Sequence, residues 1–260
     1  MKKWIFRLIM GVLIAGMVAC LVVLGVYFWD SYAQESRYDE LAQLRPDISR
    51  DSDTDLVEII DPVTGEAIYM LPEFKDLYEL NNDIVGWLTI PGTKVDYPVM
   101  QTPEEPEYYL NRNFDKKRSQ RGCLFVHAEA DVFAPSDNVT IFGHHMRDGS
   151  MFAQLDKYKK ASFRDAHPYV YFDTLTERNT YEVVMVFRAT VTGSKSFLYY
   201  ENIDFADQAA FDAFMGKCRS LSLYDTDVEV AFGDKLLCLS TCEYSQKDGR
   251  LVVVAKRIEN

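Results

Sequence analysis

The chain has 260 residues, with 28 Lys and Arg against 40 Asp and Glu, a formal charge of −12. This acidity excludes the nucleic-acid binders, whose affinity rests on basic contacts to phosphate. Five cysteines are too few for a disulfide framework in a chain of this length, and none has the Cys-x-x-Cys spacing of a zinc or redox site.

Lys2, Lys3 and Arg7 precede an uncharged run from Leu8 to Trp29, after which come Asp30 and Glu35. A run of roughly 20 apolar residues crosses a bilayer, and the basic flank predicts a cytoplasmic N-terminus with everything after residue 30 outside. Residues 5–29 are therefore expected in the membrane, with Tyr27, Phe28 and Trp29 in the outer interfacial belt. Met17-Val18-Ala19-Cys20 loosely resembles a lipoprotein cleavage box. Apolar residues continue well past Cys20, however, so a retained signal anchor is the better reading. After residue 29, 25 basic residues face 40 acidic ones, a net charge near −15.

Residues 31–75 read as an extracellular tether with an N-terminal helical segment. Turn signals stand at Asp61-Pro62 and Thr64-Gly65, and short helices are predicted over 35–45 and 73–81, where Phe74, Leu77, Tyr78 and Leu80 dock on the body. The acidic run Asp51-Ser52-Asp53-Thr54-Asp55 lacks the glycine and terminal glutamate of a calcium loop and reads as solvated.

From residue 76 a catalytic-sized domain extends to 260. Short β-rich runs begin at 85–90 and 95–100 and continue at 123–126, 139–142, 169–172, 181–191, 228–232, 236–241 and 251–258. Eight or nine such strands predict a mostly β domain, a closed barrel or a sandwich. One helix interrupts the late strands over 207–220. Asp207 is its N-cap, and Phe211, Phe214, Met215 and Cys218 form a core-facing stripe at i, i+3, i+4 and i+7.

The chemistry concentrates in the last hairpin. Leu239-Ser240-Thr241-Cys242 ends one strand, a polar turn contains Asp248-Gly249, and Arg250 opens the next strand, so Cys242 and Arg250 fall side by side at the mouth of a sheet. The thiolate is the nucleophilic form of cysteine and needs a partner to form at neutral pH. A guanidinium is always charged and serves the anionic parts of such a reaction. Cys123, Cys218 and Cys238 sit in apolar runs as small core residues. Of the four histidines, His144 and His145 follow a strand-like Val-Thr-Ile-Phe and Gly143, a strand-end position suited to a cleft, whereas His167 precedes Pro168 in a loop and is expected exposed.

Leu-Ser-Thr-Cys with arginine eight residues on, preceded by Ile-Phe-Gly-His-His-Met, resembles the sortases of Gram-positive bacteria. Ile84-Val85-Gly86-Trp87-Leu88, Asp96-Tyr97-Pro98-Val99-Met100-Gln101, Tyr108-Tyr109-Leu110-Asn111 and Gly149-Ser150-Met151-Phe152 resemble class B in particular, as does the long inserted helix. The resemblance covers about residues 75–260. It implies an eight-stranded sortase-type β-barrel with N-terminal helices, preceded by a single transmembrane helix. It also implies a cysteine transpeptidase with Cys242 as nucleophile, His144 as acid and base, and Arg250 as the residue that holds substrate and the oxyanion. The implied partners are secreted proteins bearing a C-terminal sorting signal, cleaved after threonine, and a peptidoglycan precursor amine; no metal or other cofactor is implied. Leu110, Tyr199, Ser240 and Glu243 fall near positions that line the sorting-signal groove in class B relatives. The chain departs from that class at Glu104-Glu105-Pro106-Glu107, where Asp-Asn is common, and at His127, where Asp is frequent. A membrane-tethered cysteine peptidase, a class C or D sortase and a non-catalytic surface module are the competing readings.

Overall fold

The computed structural model describes residues 3–45, 54–61 and 64–258, without the side chains of 27, 28, 30 and 31. The side chains of the expected belt residues Tyr27 and Phe28, and most of the acidic run 51–55, thus lie outside what is described. Two compact units result, Met1–Gln43 and Leu44–Asn260.

The first unit is one helix, α1 (Lys3–Gln43). The most apolar 18-residue window within its stretch Lys3–Val26 has a mean hydropathy of 2.8. At ~1.5 Å per residue that stretch is about 36 Å long, enough for a hydrocarbon core of about 30 Å. The separate helix expected over 35–45 is instead the continuation of α1. No glycine or proline interrupts the chain between Val26 and Gln43, and the helix stops shortly before Pro46, whose ring disfavours helical backbone just ahead of it.

In the second unit, strands β1 (Val57–Ile60) and β2 (Ala67–Met70) form an antiparallel hairpin within the segment read as a tether. Its turn closes with Thr64 N–H on Asp61 Oδ1 at 3.1 Å, and Tyr69 donates across the pair to Glu58 at 2.9 Å. At four residues each, Val57–Ile60 and Ala67–Met70 are apolar but too short to establish a strand period in sequence. Helix α2 (Lys75–Leu80), entered through a short 3-10 turn, fulfils the expectation for 73–81. Phe74, Leu77 and Tyr78 are buried as expected, but Leu80 is 54% exposed.

The body is a closed barrel of β3 (Ile84–Thr89), β4 (Asp96–Met100), β5 (Leu124–Val126), β6 (Asn138–Phe142), β7 (Tyr169–Thr174), β8 (Thr180–Thr190), β9 (Leu236–Glu243) and β10 (Gly249–Ile258). Around the ring the order is β10-β8-β7-β3-β4-β5-β6-β9. Two neighbouring pairs, β4/β5 and β6/β9, run parallel. The segment 228–232 is no strand. Val228 and Val230, which gave it an alternating pattern, pack as irregular chain on the apolar cluster of β8 and the late helix.

A short helix, α3 (Ala161–Ala166), precedes β7, and the late helix is α4 (Gln208–Leu221). Asp207 caps α4 by accepting from Ala210 N at 2.9 Å. The stripe Phe211, Phe214, Met215 and Cys218 is buried against Phe187, Cys238, Val252 and Val254. Each such side chain contributes on the order of 1.5–3 kcal/mol by leaving water. The helix thereby fixes the outer face of the strands that carry the last hairpin.

Candidate active site

The β9–β10 register places Cys242 directly opposite Arg250, as the hairpin sequence suggested. Asp248 takes a left-handed backbone (φ 52°) to close the turn and is held by Thr192 Oγ1, which donates to its carboxylate at 2.7 Å. Gly249 is required there because a Cβ would lie 2.5 Å from Glu243 O. Arg250 Nη1 donates to Gly249 O at 3.0 Å, restricting the guanidinium.

Far earlier in the sequence, β6 delivers the histidine. The parallel ladder pairs Phe142 with Ser240. Two further bonds extend it: Gly143 N–H donates to Ser240 O at 3.1 Å, and Thr241 Oγ1 donates to Gly143 O at 2.8 Å. The backbone just ahead of His144 is thus locked to the backbone just ahead of Cys242. A Cβ on Gly143 would stand 2.5 Å from Leu124 Cδ2 and 2.7 Å from the Phe152 ring, so only glycine admits this approach. His144 O accepts from Phe152 N at 3.0 Å. Its Nε2 lies 2.8 Å from Leu110 O. A carbonyl oxygen can only accept, so Nε2 carries the proton and Nδ1 is the nitrogen left for proton transfer.

These residues share one pocket of about 280 Å³, lined by His144, Cys242, Arg250, Leu110 and Ser240, with Phe142, His127 and Tyr200 on an aromatic wall. Phe142 lies 5.4 Å from Phe125 and 5.7 Å from Tyr200, centroid to centroid. Cys242 is half-buried, whereas Cys123, Cys218 and Cys238 are buried. Burial pushes the Cys218 thiol up to about 12 and the Cys238 thiol well above its ordinary range, so neither is a nucleophile. Among the described residues, no three His, Cys, Asp or Glu side chains group as a metal ion requires.

Two of the four expected groove residues are not among those lining this pocket. Tyr199 is fully buried beneath the pocket, its hydroxyl 2.5 Å from Ser240 Oγ, and Tyr200 takes the wall position instead. Both lie in a single 3-10 turn (Tyr199–Glu201), where neighbouring residues point in different directions and sequence does not say which faces the cleft. Glu243 lies outside the pocket lining and is 5% exposed. Burial alone would raise its pKa. Bonds from Ser245 Oγ and N–H and from Lys159 Nζ at 3.0 Å outweigh burial and hold it at about 2. His145 lies 3.6 Å from Asp156 and edge-on to Tyr244, also outside the pocket lining. His167, expected exposed, is half-buried, bonded through Nδ1 to Pro91 O at 2.9 Å and packed on Phe163.

Comparison with known proteins bears on the family and the fold. A family model described as Sortase domain matches residues 88–258. Sortase B of Listeria monocytogenes is 34% identical over 189 residues, which cover 72% of this chain and 74% of that protein. The Staphylococcus aureus sortase B–substrate complex superposes with a TM-score of 0.75 at 28% identity, covering 89% of this chain and 99% of that one. A structure of sortase B complexed with triglycine gives 0.73 at 28% identity, covering 88% and 99%.

Proposed function

The chain belongs to the sortase family, among the sortase B proteins, and from that premise we propose that it is a membrane-anchored cysteine transpeptidase acting through Cys242, His144 and Arg250. The observation that carries this reading is the shared pocket. A half-buried thiol, a strand-end histidine with one free nitrogen and an arginine in register with the thiol line a single groove.

The steps follow from those groups. The Cys242 thiol gives its proton to His144 Nδ1, and the resulting thiolate attacks the carbonyl carbon after the threonine of a sorting signal, the Sγ–C bond forming as the oxygen takes negative charge. Arg250 stabilises that oxyanion. The C–N bond then breaks, and His144 gives its proton to the departing amine through Nδ1. The thioester keeps the acyl group until a peptidoglycan-like amine attacks, with His144 now taking the proton and Sγ leaving. Water in place of the amine gives hydrolysis. That sortase B structures exist with a substrate and with triglycine supports a peptide and a glycine-type amine as the two substrates. The apolar stretch of α1 supports an anchor with its basic end cytoplasmic and the barrel outside. Leu110 and Ser240 belong to the sorting-signal groove in this reading.

The test is turnover of peptides of the Pro-x-Thr-Gly and Pro-x-Thr-Asn types by the full chain in detergent micelles. Cleavage after threonine and amine-dependent ligation are expected, both lost in Cys242→Ala. Cleavage that no amine diverts favours a peptidase.

A further inference from the structure

Beside the reacting groups, the pocket wall carries one polar atom that the protein leaves unsatisfied. His127 follows directly on β5 and is fixed from both sides of its backbone. Its N–H donates to Thr140 O at 2.9 Å, and its carbonyl accepts from Gln101 Nε2 at 3.0 Å. The ring stands 5.6 Å from Tyr200 and 6.2 Å from Phe142 and lines the same pocket as Cys242 and Arg250. Its Nδ1 is buried with no hydrogen-bond partner, although the residue as a whole is only half-buried.

That asymmetry fixes the tautomer. A buried N–H without an acceptor is rarer in proteins than an under-satisfied acceptor, so Nδ1 keeps its lone pair and the proton sits on Nε2. A second proton would place both a charge and an unpaired donor in the sealed position. Burial accordingly lowers the imidazole pKa, against the opposing pull of Glu129 and Glu201. His127 therefore presents a neutral N–H donor from the edge of the ring not sealed against the protein. Glu129 and Glu201 act on this ring and Glu107 lines the same pocket, so a carboxylate is a poor partner for it. A neutral carbonyl oxygen fits.

We propose that His127 is a specificity-determining residue, donating a hydrogen bond from Nε2 to a neutral carbonyl oxygen of the sorting-signal peptide. The proposal rests on the function given above and adds a residue to its substrate groove.

Two measurements on the full chain in micelles test it. In nitrogen-15 histidine spectra at neutral pH, the signals lost in His127→Phe are expected to show the neutral Nε2–H tautomer. In the Cys242→Ala background, those signals are expected to shift when peptide saturates the protein. In kinetics, His127→Phe keeps a ring against Tyr200 and Phe142 but removes the donor, and kcat/KM is expected to fall about tenfold, the effect of one typical hydrogen bond. His127→Gln, which restores an N–H donor, is expected to recover most of that loss. A loss that disappears for one peptide whose side-chain amide is replaced by alanine assigns a side-chain carbonyl; an equal loss for every peptide assigns the backbone. An Nδ1–H tautomer, signals indifferent to peptide, or His127→Phe turnover within about twofold of wild type overturns the proposal while the transpeptidase reading stands. Failure of the wild-type chain to cleave any peptide overturns both.

Discussion

Cys242 and Arg250 oppose each other across one ladder rung, so the guanidinium's place in the pocket is set by strand register. Lysine in place of arginine keeps the charge but loses the planar fork and its fixed bond to Gly249 O. Arg250→Lys is expected to lower kcat/KM by about 10²–10³, the range for losing an oxyanion donor, with an unchanged melting temperature. Peptide cleavage rates and a thermal melt check both halves. Glu243 sits next in sequence to Cys242 and is tied into the fold by Ser245 and Lys159. Its pKa is held at about 2, against an ordinary 4.5. A carboxyl with a depressed folded pKa stabilises the protein above its unfolded pKa and loses that stabilisation as pH falls through the folded one. Wild type is therefore expected to melt above Glu243→Gln at neutral pH. The gap should narrow from about pH 4.5 and close near pH 2, as melts of the two proteins across that range will show.

At the scale of elements, the β6–β9 junction is what joins the histidine to the cysteine. Gly143→Ala forces a methyl against Leu124 and Phe152, and shifting His144 is expected to cost at least about tenfold in kcat/KM, since misplacement of about 1 Å is worth more than that. The check is turnover beside a circular dichroism spectrum showing the barrel intact. In α4, Asp207→Ala is expected to cost about 1 kcal/mol and Phe214→Ala about 3–5 kcal/mol, measured by urea unfolding. The α4 stripe was legible because four apolar residues at helical spacing leave no other face to bury. The hairpin β1–β2 was not, because strands of four residues are too short to show a period. Val228 and Val230 misled because strand-like alternation also describes irregular chain laid over an apolar cluster. At the pocket, the pairing of Cys242 with Arg250 was legible because the two face each other across one hairpin turn. The exchange of Tyr199 for Tyr200 was not, since a 3-10 turn has no alternation to read.

Across the whole molecule, barrel closure brings residues 142–144 and 240–242 together through parallel pairing, which no local pattern reports. An eight-stranded ring of this kind is what the class resemblance implies. The acidic charge suits a protein kept from nonspecific association with anionic polymers. Full-length chain reconstituted in vesicles is expected to float with lipid, whereas a chain lacking residues 1–30 is expected to stay at the bottom of the gradient.

The most direct test is mass spectrometry of the full chain after brief mixing with a sorting-signal peptide, with and without triglycine. The expected result is an acyl adduct on Cys242 that ends at threonine, disappears when triglycine is added and yields a ligated peptide. It should be absent from Cys242→Ala. A protein mass unchanged by every peptide, with Cys242 inert to thiol reagents, would contradict the assignment of this pocket to covalent acyl transfer.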